Sequence, residues 1–152
     1  MKLGEALRLR SDNYKKIEEL RARAVAGAQI QDGQEAPDLP SELLDDIERL
    51  AGETLLLVQR INRTNVSTRL GSGKPLVDAL AEREHYLAMR KPFDAVAQAA
   101  SALRDRHLRS EIKIVRTVEP QVLRKKVDDY SRRHRVLDTA IQEANWVTEL
   151  AD

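Results

Sequence analysis

The sequence has no cysteine, and among its 152 residues only one Phe, one Trp and three Tyr. The first absence excludes a disulfide framework, thiolate chemistry and zinc held by Cys. The second leaves Leu, Ile, Val and Ala to build whatever core there is. Long apolar runs are missing too: the longest aliphatic stretch is Leu55 to Val58, far short of the ~20 residues needed to cross a bilayer. The opening Met1-Lys2-Leu3-Gly4-Glu5-Ala6-Leu7 lacks the apolar block of about 7–15 residues that a secretory signal needs, so a cytoplasmic location without a membrane span is expected. The two glycosylation-like triplets at Asn62 and Asn65 are read as accidental, since that modification needs export.

Charge is what the chain has in abundance. Asp, Glu, Lys and Arg make up 34% of the residues, nearly balanced at a net +1. So many charges with so few rings suit long solvated helices better than a globule. The balance is uneven locally: residues 104–135 hold eleven Lys or Arg against five acids. A basic tract of this kind could neutralise phosphates, but Glu119, Asp128 and Asp129 interleave and rings for base stacking are scarce, so nucleic acid is disfavoured as a partner.

Periodicity gives the architecture: a mainly α, elongated four-helix bundle with coiled-coil-like hairpins, in a single helical domain spanning 1–152. Helices are expected at about 3–26, 41–68, 75–104 and 120–150, with a loop over 27–40. The first seam reads Leu3, Leu7, Arg10, Tyr14, Ile17 and Ala24; the second reads Ile47, Ala51, Thr54, Val58, Ile61, Asn65 and Thr68, in steps of three and four. Ser41 is the expected N-cap of the second helix. Gly52 within it suggests close approach of another helix, and Pro92 is expected to interrupt the third. Alternation near 110–118 predicts one short β segment. The clearest heptad is the fourth: Leu123, Val127, Tyr130, His134, Leu137, Ile141, Ala144 and Thr148.

Gly71-Ser72-Gly73-Lys74 has part of a phosphate-binding loop. Thr68 stands where that loop needs Gly, Pro75 follows the Lys, and a helix rather than a strand precedes it, so a helix–helix turn is expected instead. Polar residues gather near helix ends: Asn62, Asn65, Thr68, Asp78, Arg83, Glu111, Lys113, Gln142, Glu143, Asn145 and Trp146. They form either a pocket or a hydrogen-bond network that fixes register and subunit pairing, and the network is favoured. Glu82 and His85, three apart on one helical face, are half of a di-iron-like motif, so a divalent metal across a dimer axis is an alternative; otherwise no cofactor is expected.

Met1-Lys2-Leu3, Ile61-Asn-Arg-Thr-Asn65, Asp78-Ala-Leu-Ala81, Ser110-Glu-Ile-Lys113 and Ile141-Gln-Glu-Ala-Asn-Trp146, taken in order, resemble the small bacterial septicolysin-like family. That resemblance implies a helical, mostly uncharacterised protein, with a label suggesting a cytolysin. The residues themselves offer neither an export signal nor a membrane-inserting segment. The function expected is a non-enzymatic structural or interaction protein that forms homo-oligomers through its helical seams.

Overall fold

The computed structural model describes residues 1–35, 38–102 and 115–152. They form four α-helices: α1 (Leu3–Gly27), α2 (Pro40–Ser67), α3 (Leu76–Ala102) and α4 (Pro120–Val147). The class is mainly α, as the periodicity implies. Among the described residues there is no sheet, only isolated bridges joining Lys2 to Glu149 and Arg69 to Pro75. Of the expected β segment, residues 110–114 lie outside the described residues and 115–118 carry no strand. The chain divides into two compact units, Met1–Thr68 with Ala144–Asp152, and Arg69–Glu143.

The first unit is built on the α1–α2 hairpin. Glu5 caps the start of α1 by accepting the Lys2 N–H at 2.7 Å. Pro40, rather than Ser41, opens α2, because its fixed φ suits a first turn in which no backbone donor is needed. One seam of buried and half-buried residues along α1 runs Leu3, Ala6, Arg10, Asn13, Ile17, Leu20, Ala24 and Gly27; one along α2 runs Leu43, Ile47, Leu50, Thr54, Leu57, Ile61 and Thr64 and reaches Thr68 just past its end. Both alternate by threes and fours, with Gly4, Leu7, Pro40, Val58, Arg60 and Asn65 half-buried beside them. Asn13 Nδ2 donates to Thr54 Oγ1 at 3.0 Å, which sets an antiparallel register placing Ala6 level with Ile61, Leu20 with Ile47 and Ala24 with Leu43. Small residues of α1 thus meet large ones of α2, the interdigitation that fills a seam.

That register explains one glycine. A Cβ on Gly27 would sit 3.2 Å from the Asp38 carbonyl and 3.4 Å from Pro40 Cγ. Gly52, where close approach was expected, faces open space. The expected seams are off by one residue in places: Tyr14 and Ala51 are exposed, with Asn13 and Leu50 in their places, while Val58 and Asn65 are half-buried beside the buried Leu57 and Thr64. Thr54 and Thr64 can be buried because each hydroxyl donates to the carbonyl four residues back, Leu50 at 2.7 Å and Arg60 at 2.8 Å.

The second unit begins with a tight turn. The Leu70 N–H donates to the Lys74 carbonyl and the Gly73 N–H to the Leu70 carbonyl, both at 2.8 Å. Gly73 adopts φ +83°, a left-handed conformation open to glycine. α3 continues as helix through Pro92, where an interruption was expected. Three of the rare rings tie α3 to α4: the centroids of Phe93 and Tyr86 lie 5.7 and 6.3 Å from that of Tyr130, within the range of favourable tilted pairs. Arg83, polar within a seam, is satisfied by Asp138 at 3.0 Å.

Candidate functional site

Within the first unit, the end of α2 holds the segment that follows α4. Arg60 Nε donates to the Ala151 carbonyl at 2.8 Å, Arg63 Nε to the Asp152 carbonyl at 2.9 Å, and Thr64 Oγ1 accepts the Ala151 N–H at 2.9 Å. Beside them the first residues pair with the same segment: the Leu3 N–H reaches the Thr148 carbonyl and the Leu150 N–H the Met1 carbonyl, each at 2.9 Å. Lys2 Nζ contacts Glu149 at 2.6 Å. Gly4 permits this approach, since a Cβ there would lie 3.2 Å from both the Asn145 carbonyl and the Trp146 ring.

Of the sequence-expected residues, Asn145 is buried, Asn65, Thr68 and Arg83 are half-buried, and Asn62, Asp78, Gln142, Glu143 and Trp146 are exposed. Glu111 and Lys113 lie outside the described residues. No hydrogen bond joins Asn65 to Asn145 among the described residues; the neighbouring Thr64 makes the long-range bond instead. Lys2, Arg60, Thr64 and Glu149 escaped the sequence reading. Thr64 alone carried a signal, standing in heptad register with Thr54, Leu57 and Ile61.

A second arrangement lies wholly in the second unit, a cavity of about 340 Å³. Its lining combines the apolar side chains of Leu70, Val136, Leu137 and Ala140 with Ser72, Lys74, Glu82, Tyr86, Arg132 and Arg133. The Glu82 carboxylate accepts from both the Lys74 ammonium and the Tyr86 hydroxyl. Asp129 binds Arg132 at 2.6 Å and Arg133 at 2.8 Å, and the Arg133 guanidinium lies 6.0 Å from the Tyr86 ring centroid. Glu82 is therefore engaged with a cation, while His85 is exposed beside Tyr86. No group of three or more His, Asp or Glu that could hold a metal ion occurs among the described residues. Much of the basic tract lies in 103–114, outside the described residues; of its remainder, Arg116 donates to the Ala100 carbonyl and Arg124 to Ser101.

The carboxyls of Asp38, Glu82, Asp129 and Glu149 are held below their ordinary range, chiefly by hydrogen bonds from Arg23, Lys74, Arg132 and Lys2. Glu82 in turn raises Lys74 and Tyr86. Depressed carboxyls stabilise the fold above their unfolded values, about 3.9 for Asp and 4.3 for Glu, and that contribution is lost as pH falls through the folded values. The raised Lys74 and Tyr86 contribute below their unfolded values near 10 and lose it as pH rises. Melting followed by circular dichroism is expected to give a flat Tm across neutral pH, with a decline below about pH 4 and another above about pH 10. Because these pairs face solvent, 0.5 M salt is expected to shrink both declines.

A third feature is an open groove of about 880 Å³ along α1, lined by Arg10, Ser11, Tyr14, Lys15, Glu18, Glu19, Ala22 and Val58. Ala51, Leu55 and Val58 follow steps of four and three on one flank of α2. Leu55 remains 58% exposed, so the apolar surface extends past the groove.

The chain belongs to DUF6847, a family of unknown function whose sequence pattern matches residues 10–150. It is similar over 99% of its length to 98% of a functionally unknown conserved protein from Corynebacterium diphtheriae, known from a crystal structure, with 38% identity and a TM-score of 0.92. No curated protein gives a significant match. These findings overturn the septicolysin-like resemblance: neither the family that matches nor the similar solved structure carries that label. Among the described residues no helix is long and apolar enough to cross a membrane.

Proposed function

We propose that this member of DUF6847 is a non-enzymatic interaction protein that assembles with a second copy of itself, α1 packing antiparallel on α1 across the groove. One observation carries the reading: the residues lining the groove are self-complementary about a point between Tyr14 and Lys15. A two-fold axis there sets Arg10 of one copy opposite Glu19 of the other, Ser11 opposite Glu18, and Tyr14 against Lys15. Such an isologous contact, in which each surface meets itself, is the commonest way for soluble chains to pair.

The charges support it further. Arg10 is half-buried and has no carboxylate within 4.0 Å among the described residues of its own chain. Among the described residues, the carboxylates of Glu18 and Glu19 form ion pairs only with the exposed Arg21 and Lys16, which are worth little and yield readily. The Asn13–Thr54 bond ties α1, which carries the groove, to α2. Light scattering is expected to give at least twice the 17.2 kDa chain mass at micromolar concentration. A clean monomer there would remove the proposal.

A further inference from the structure

We propose that the cavity of the second unit binds a small organic monoanion, a carboxylate carried on an apolar body, independently of whether the chain pairs. The cavity lies near the lower end of the volumes that hold ligands, about 300–1,000 Å³. Its lining mixes two chemistries: Leu70, Val136, Leu137 and Ala140 offer apolar surface to the body of a ligand, and Lys74, Arg132 and Arg133 offer positive charge. The cations are only partly answered. Glu82 takes Lys74, and the single carboxylate of Asp129 is shared between Arg132 and Arg133. Of the residues that line the cavity, three are cations and one, Glu82, is a carboxylate; Asp129 and, more weakly, Asp78 near Lys74 answer them from outside the lining.

The geometry selects the head group as well. Asp129 accepts a hydrogen bond from one terminal nitrogen of Arg132 and lies 2.8 Å from Nε of Arg133, which leaves other guanidinium N–H groups of both residues without that acceptor. A planar guanidinium offers paired donors that match a carboxylate edge. Tyr86, whose hydroxyl donates to Glu82, has its ring centroid 6.0 Å from the Arg133 guanidinium. A bare inorganic anion would satisfy the charge and leave the apolar lining unused; a neutral ligand would do the reverse.

The test is titration calorimetry on the full chain with 3-phenylpropionate, its amide and inorganic phosphate as separate probes. Phenylpropionate is expected to bind with a sub-millimolar Kd, at least tenfold more tightly than either comparator. Arg133→Gln, at a side chain about half exposed, is expected to weaken it at least tenfold while leaving the circular dichroism spectrum unchanged. Leu137→Asn is expected to weaken phenylpropionate and leave phosphate unaffected. Absence of phenylpropionate binding at 10 mM, equal binding of acid and amide, phosphate binding as tight as phenylpropionate, or an Arg133→Gln protein that folds and binds normally would each overturn the proposal.

Discussion

Replacing Ile61 with alanine is expected to lower the unfolding free energy of the protein by about 2–5 kcal/mol, a large share of what a domain of this size possesses. Ile61 is 1% exposed, and the register set by Asn13 and Thr54 places it level with Ala6, whose methyl group cannot swing into the space left behind. The cost therefore includes both the lost transfer of apolar atoms from water and a persistent void. The matched control is Leu56→Ala on the same helix, at a residue 63% exposed, expected to change stability by under about 0.5 kcal/mol. Urea denaturation monitored by circular dichroism separates the two. Equal losses would mean that the seam of α2 does not run through Leu57, Ile61 and Thr64.

The second large effect concerns assembly. Arg10→Glu sets two carboxylates against each other at both ends of the proposed α1–α1 contact, and Glu19→Arg sets two cations there. Each single reversal is expected to raise the dimer dissociation constant at least tenfold, the scale of like charges opposed across an interface. The double reversal restores an Arg–Glu pair in the opposite order and is expected to recover most of the affinity. Sedimentation equilibrium measures all four proteins, and the double-mutant cycle isolates the pair from any effect of either residue alone. Additive losses in the double variant would show that the two positions do not face each other.

The four helices and the turn through Gly71 and Gly73 were legible because each leaves a local mark. α4 was the clearest case: every residue of its expected heptad is buried or half-buried. The seams of α1 and α2 were harder for a physical reason. Residues 54–58 of α2 are apolar or β-branched at every position, so hydropathy alone admits two neighbouring phases. In α1 the true seam passes through Asn13 while an apolar ring stands next to it at Tyr14. A reading by hydropathy takes the ring, but the amide has a partner across the hairpin and the ring does not need one. The candidate sites were less legible still. Lys74, Glu82 and Tyr86 approach Arg132 and Arg133 only once α3 and α4 pack, and no spacing within either helix announces it. The opposed signs of Arg10 and Glu19 were visible as letters; their shared groove was not.

The bridge between Lys2 and Glu149 has a bearing on how the chain is made. The α1–α2 hairpin can zip up first, since its register bond spans 41 residues against 148 for the Met1–Glu149 contact, but its open end closes only after residues 148–151 leave the ribosome. Until then Leu3 and Thr64 stand at a frayed mouth, and closing a loop of that length late carries an entropic cost that grows only slowly with the intervening chain. The stretch in between can lengthen in relatives at little expense, whereas the two ends must keep their reach to one another.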